Sequence, residues 1–160
     1  MNSNVDPDGL MEFSVVFTDR SLNHMSKAFQ CVMLDINAML KEVYNADGVA
    51  IVPGGGTYGM EAVARQFAAG KNAMVIRNGW FSYRWTQIFD ASGIAESETV
   101  MKARRVANAH QSPFAPAPIE DVVAAIKEAK PDVVFAPHVE TSAGIILPDD
   151  IGDETFVTLF

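Results

Sequence analysis

Apolar residues recur along this chain with two distinct rhythms. Over residues 26–44 they fall at Phe29, Val32, Met33, Ile36, Met39, Leu40 and Val43, the three-and-four spacing that gathers side chains on one face of an α-helix. That spacing predicts a long helix with Ser26 as its N-cap and Gly48 as its stop. Met60, Val63, Ala64 and Phe67 repeat the rhythm over residues 57–69, before Gly70. Trp85, Ile88 and Phe89 do so over residues 81–91, before Gly93. Ile119, Val122, Val123 and Ile126 follow Pro118 and precede Pro131, so a fourth helix starts at that proline and stops short of the next.

Between the helices lie apolar runs too short to be helical. Residues 49–53 ("VAIVP"), 73–77 ("AMVIR") and 132–137 ("DVVFAP") are bounded by Gly, Pro or Asn and read as strands buried on both faces. Residues 98–104 ("ETVMKAR") read as a further strand, and residues 108–118, rich in Pro and Ala, as a loop. Alternating strands and helices predict an α/β protein: a three-layer sandwich around a mostly parallel sheet, with right-handed crossovers. After "GIILPDD" the next helix and strand do not follow, and "IGDETFVTLF" is too short for another βα unit. The sheet reads as unfinished.

Composition removes several classes of function. The chain has 160 residues, a formal net charge of -8 and a hydrophobic fraction of 49%, enough for one domain with its own core. An acidic protein whose one basic cluster is Lys102, Arg104 and Arg105 has no stripe for nucleic acid. Cys31 is the single cysteine, which excludes an intrachain disulfide framework and a CxxC metal site. Its place between Phe29 and Val32 makes it a buried structural thiol. No apolar run is long enough to span a membrane, and the first residues lack the basic and apolar regions of a signal peptide. A cytoplasmic protein is expected.

Three loops follow the expected strands, and ligands of open α/β sheets bind at such ends. In the first, Gly54, Gly55, Gly56 and Thr57 join a strand to a helix N-terminus. Bare backbone there lets N–H groups approach an anion, the helix dipole favours negative charge, and Thr57 adds a hydroxyl; a phosphate is the natural guest. A tight turn alone would also use glycines. Gly54, Gly56 and Gly59 match G-x-G-x-x-G, but the acidic residue that would hold an NAD ribose is replaced at the end of the next strand by Arg77. NAD is thereby disfavoured, and an NADP-dependent oxidoreductase stays as an outside alternative. The second loop, "RNGWFSYRW", offers Phe81 or Trp80 to stack on a planar heterocycle, or simply to pack the next helix. The third, "PHVETSAG", gathers His138, Glu140, Thr141 and Ser142. His138 and Glu140 lack a third metal ligand tied to them by motif, so a hydrogen-bonding rim for an organic cofactor fits better than a metal.

In this order and spacing, "PGGGTYGMEA", "RNGWFSYRW" and "APHVETSAGIILPDD" resemble the class V pyridoxal-phosphate-dependent aminotransferases, especially the alanine–glyoxylate and serine–pyruvate type. The resemblance runs from about Ser21 to Asp150. It implies part of a fold-type I large domain over residues 1–150, with residues 151–160 an unrelated or frame-altered tail. It also implies pyridoxal 5'-phosphate as cofactor, an amino acid and a 2-oxo acid as substrates, and a homodimer. By position, Gly55, Gly56 and Thr57 would cup the phosphate, Phe81 (or neighbouring Trp80) would stack on the pyridine, and Thr141 would bond the ring hydroxyl. His138 and Glu140 would shape that last loop.

One departure qualifies the activity. The family's cofactor-binding lysine and the acid at the pyridine nitrogen lie beyond the third loop, whereas Lys27, Lys41, Lys71, Lys102, Lys127 and Lys130 all precede it. The expectation is an aminotransferase-type portion that holds cofactor but does not turn over alone. A non-catalytic module that pairs with another chain, such as a full-length relative, is the alternative; an unfinished sheet edge would supply its surface.

Overall fold

The computed structural model describes residues 24–147 and 156–157 of the chain. It divides into two units, residues 1–51 and 52–160. In the first unit, helix α1 (Lys27–Tyr44) follows the predicted periodicity, and the Ser26 hydroxyl accepts the Phe29 N–H at 3.1 Å as its N-cap. Its end differs from expectation. Asn45, in the left-handed conformation with φ 47°, closes the helix before Gly48 is reached, since asparagine tolerates that region better than other side chains. No residue within α1 is buried, and Cys31 is exposed rather than a core thiol. Residues 49–53 form no strand, and Ile51 and Val52 stand exposed. An apolar run becomes a strand only where a neighbouring strand takes its N–H and C=O groups, and no described strand pairs with this one.

The second unit is a parallel sheet between helices. Its strands are β1 (Asn72–Arg77), β2 (Ser97–Lys102), β5 (Val133–Phe135) and β8 (Phe156–Val157). They lie in the order β2-β1-β5-β8, and every pairing is parallel. Asn72 and Asp132 align the starts of β1 and β5. The Asp132 carboxylate accepts the Asn72 N–H at 2.9 Å, and the Asn72 carbonyl accepts the Asp132 N–H at 2.9 Å. Helices α2 (Gly56–Phe67), α3 (Trp80–Ser92) and α4 (Ile119–Ala129) complete the layers.

Alternate residues of β1 build two cores. Ala73 and Val75 point into one, with Ala64 and Ala68 near the end of α2, Trp85, Ile88 and Phe89 of α3, and Phe135 of β5. The Phe135 ring lies 4.5 Å from Trp85 and 5.3 Å from Phe89 between centroids. Met74 and Ile76 point into the other, with Val122 of α4 and Val134 of β5. Helices α2 and α3 therefore cover one face and α4 the other, which is the expected three-layer α/β sandwich. The second core reaches only part of the apolar stripe of α4: Val122 is buried, whereas Ile119 and Val123 are exposed. Phe67 of α2, expected inward, is also exposed, because Ala64 and Ala68 take the core positions.

Two small antiparallel pairs decorate the carboxyl ends of the strands. β3 (Arg104–Arg105) pairs with β4 (Phe114–Ala115), so the Pro-rich stretch read as a loop contains a short strand. β6 (Val139–Glu140) pairs with β7 (Ile145–Ile146) around a four-residue turn, making a hairpin of the third loop. Phe156 and Val157 add a parallel strand beside β5; the rest of the sequence from 148 to 160 lies outside the described residues. None of the described helices is long and apolar enough to cross a membrane.

Candidate functional site

From β1 the chain runs outward through α3 to β2, then returns past β1 through α4 to β5. Neighbouring strands connected in opposite directions leave a crevice beyond their carboxyl ends. A cavity of ≈ 460 Å³ opens there. Its walls are Gly56, Thr57, Gly59 and Met60 from α2, Phe81, Arg84 and Trp85 from α3, and Pro137 and Val139 after β5. The three loops picked out in the sequence therefore converge on one place.

The α2 terminus is shaped for a guest. Gly55 is its N-cap, no side chain caps the helix, and no acidic residue occupies its first turn. The first N–H groups of a helix lack the usual carbonyl four residues earlier; the Tyr58 N–H is donated to the Gly55 carbonyl at 2.9 Å, and no side chain among the described residues caps those of Gly56 and Thr57. A Cβ added to Gly55, Gly56 or Gly59 would meet nothing within 4 Å, which leaves open space over the turn. Gly54 is different. With φ +132° it needs glycine, and a Cβ there would come within 2.4 Å of the Tyr58 ring. Thr57 is held by Arg84, whose Nη1 donates to Oγ1 at 2.6 Å. Arg84, a guanidinium in the cavity wall, forms no ion pair among the described residues. Its signal in the sequence is its position one helical turn beyond Phe81.

At the α3 terminus the same donors are already taken. Glu140, wholly buried, accepts the N–H groups of Phe81 (3.1 Å) and Ser82 (2.8 Å) and the Ser82 hydroxyl (2.6 Å). Ser142 also donates its hydroxyl to this carboxylate. Burial alone would raise the carboxyl, but the bonds from Ser142, Ser82 and Phe81 outweigh it and hold it below the ordinary carboxylate range. The hairpin β6–β7 thus plugs one helix terminus with an internal anion, while the other stays open. Gly79 makes the close approach possible, for a Cβ there would lie 2.5 Å from Ser142 Oγ and 2.7 Å from Glu140 Cγ.

The remaining candidates separate. Phe81 faces the Thr57 cavity, whereas Trp80 lines a different one. Thr141 is exposed on the hairpin turn and lines neither. Gly55 caps α2 without lining the cavity. Arg77, at the position that disfavoured NAD, is engaged within its own surroundings: its guanidinium lies 4.9 Å from the Tyr83 ring centroid and donates to Thr86 at 3.4 Å. Thr86 in turn donates to Glu98 at 2.8 Å. Burial raises the Glu98 carboxyl above its ordinary value, opposed by the Thr86 bond and Arg77.

Comparison with known proteins gives the same direction as the three loops. No family model matches the chain. Among curated proteins, the small subunit of a soluble hydrogenase from Synechococcus sp. (strain PCC 6716) is 28% identical over 127 residues, covering 78% of this chain and 31% of that protein. Among solved structures, the ureidoglycine–glyoxylate aminotransferase of Bacillus subtilis superimposes with a TM-score of 0.62 at 26% identity, over 82% of this chain and 34% of that one. An alanine–glyoxylate aminotransferase from Nostoc sp. gives 0.61 at 23% identity, over 79% and 32%. The chain thus spans about a third of the length of these relatives. The solved structures that it resembles are class V aminotransferases, and its α/β fold is a part of theirs.

Proposed function

We propose that this chain is the cofactor-holding portion of a class V aminotransferase, and that the cavity of Thr57 and Phe81 binds pyridoxal 5'-phosphate. The observation that carries the reading is the N-terminus of α2 without a side-chain cap, with Arg84 beside it forming no ion pair among the described residues. Its donor set fits a phosphate: the backbone N–H groups of Gly56 and Thr57, which no side chain caps among the described residues, a threonine hydroxyl and a guanidinium. Gly55, as N-cap, keeps the approach clear of side chains. Phe81 supplies a flat apolar face for the pyridine; Thr141, on the hairpin turn and outside the cavity lining, is assigned to the ring hydroxyl by the resemblance alone. Glu140 acts through structure, fixing the start of α3 and with it the Phe81 ring.

When bound, pyridoxal phosphate supplies a ring that draws electrons from the α-carbon of an amino acid, so an amino group can pass to a 2-oxo acid. The residues around the cavity bind and orient; none of its lining residues is a lysine. We therefore assign this 160-residue chain non-covalent binding without turnover by itself. Transfer between a small amino acid and a 2-oxo acid belongs to a complete site, built with a full-length relative that supplies the lysine.

Titration of the chain with pyridoxal phosphate, followed by its absorbance, tests the reading. Saturable binding displaced by inorganic phosphate is expected, with unphosphorylated pyridoxal at least about tenfold weaker, which is about 1.4 kcal/mol. Thr57→Val and Arg84→Met should each weaken the phosphate-bearing ligand and leave pyridoxal unchanged. Equal affinity for the two ligands would sink the phosphate cup. Borohydride reduction with peptide mapping gives the second check: one specifically labelled lysine would overturn the assignment of non-covalent binding.

A further inference from the structure

A second cavity, of ≈ 450 Å³, is lined by Asn78, Trp80, Pro113, Phe114, Ser142 and Ala143, together with Gly79. It shares no lining residue with the cavity of Thr57 and Phe81. No lining side chain is charged, so the cavity suits a neutral guest. Its volume is that of a small-molecule site.

Asn78 sets the chemistry. The residue is 4% exposed, and its side-chain Nδ2 and Oδ1 both lack a hydrogen-bond partner among the described residues. Its backbone is anchored, with the N–H donated to Ser82 Oγ at 2.8 Å. Buried polar side chains almost always find partners, and these two atoms are the buried side-chain N and O atoms left without one among the described residues. A carboxamide offers a donor and an acceptor side by side, and its best neutral complement is another carboxamide.

The walls set the shape. Trp80 is 58% and Phe114 50% exposed, large rings left uncovered beside the amide. Both are fixed at the backbone. The Trp80 N–H is donated to Ser142 Oγ at 2.8 Å, and Phe114 is held in the β3–β4 pair, with the Arg105 guanidinium 5.7 Å from its ring centroid. Aromatic walls favour flat guests.

We propose that this cavity binds a small, neutral, planar carboxamide, whose amide pairs with Asn78 and whose flat face lies against Trp80 and Phe114. The Asn78 amide atoms are shut off from solvent, so the exposed Trp80 indole turns as the ligand enters. Its fluorescence reports that event, with Trp85 buried in the core as an internal reference.

Benzamide is the probe, acetophenone its equal in shape without the donor, and benzoate its charged analogue. Calorimetry and tryptophan fluorescence on the 160-residue chain should show saturable benzamide binding, at least tenfold tighter than either analogue. Asn78→Leu should reduce benzamide to the level of acetophenone. Trp80→Ala, at an exposed position, should weaken benzamide at least tenfold with an unchanged thermal melt, and this decides the matter if Asn78→Leu does not fold. Thr57→Val should leave benzamide binding intact, which separates this site from the pyridoxal phosphate reading. Absence of saturable benzamide binding, equal affinity for acetophenone, or wild-type affinity in Trp80→Ala would overturn the proposal.

Discussion

Glu140 shows how much one side chain settles in this protein. It is a buried carboxylate with no cation among its hydrogen-bond partners, held by hydroxyls and by the N-terminal N–H groups of α3. Hydrogen bonds to a charged group are among the stronger single contributions to stability, and removing the acceptor leaves its donors buried and unmet. Glu140→Ala should therefore lower stability by on the order of 3 kcal/mol, read from chemical denaturation. The same carboxylate sets an acid dependence. Its folded pKa lies below the ordinary value of 4.5, so the unfolded state binds more protons in that window. The stability it contributes is present above 4.5 and is lost as the pH falls through the lower folded value. Glu98 acts oppositely, since its raised carboxyl takes up a proton first in the folded state. Measured in a Glu98→Gln background, the loss of stability below pH 4.5 should be shallower in Glu140→Gln; an unchanged slope would remove Glu140 as its cause. From the sequence Glu140 was legible as part of a polar loop, but not as a helix plug. Its partners in α3 are some sixty residues away, a distance local pattern does not cross.

At the scale of elements, the hairpin β6–β7 and the start of α3 form one device. Gly79 lets them meet with ordinary extended backbone, for its φ of -179° suits any residue and only the space demands glycine. Gly79→Ala would force a methyl into Ser142 and Glu140. It should cost about 1–3 kcal/mol by overpacking and weaken pyridoxal phosphate through displacement of Phe81. Thermal melting and the cofactor titration check the two effects separately. A variant that matches the parent in both would show that hairpin and helix yield without cost. Elements with both a strong period and a nearby partner were read correctly: α3 with its buried Trp85, Ile88 and Phe89, and β1 with alternate residues in two cores. Residues 49–53 have the apolar run without a partner strand among the described residues, so the sequence signal is present and the strand is not. The stripe of α4 was read as wider than the core that receives it.

At the scale of the molecule, stability is distributed unevenly. Met74, Val75, Val134 and Phe135 lie at the centre of the sheet with essentially no exposure, whereas α1 buries none of its residues. An isolated helix of this length is marginal in water, because most helix stability in proteins comes from packing. Amide exchange should therefore be fast throughout α1, and slowest in β1 and β5, where opening requires loss of the core. Protection of α1 equal to that of β1 would mean that a second chain or a further segment covers it. The exposed Val32, Ile36, Met39 and Val43 of α1 are the residues that such a partner would bury.

Sequence by itself determined the alternation of helices and apolar strands, the glycine-rich turn before α2, and the order of the three loops. Each of these depends on residues near in the chain, where spacing and turn chemistry act directly. Tertiary structure alone decided which loops share a cavity: it set Phe81 beside Thr57 and Arg84, moved Trp80 to the neighbouring cavity with Asn78, and sent Glu140 under α3. It also decided which apolar runs are buried, leaving residues 50–53 and Cys31 exposed. The physical reason is the same in each case. Burial, pairing and the neutralising of a helix terminus depend on what arrives from elsewhere in the chain, and folding alone brings those partners together.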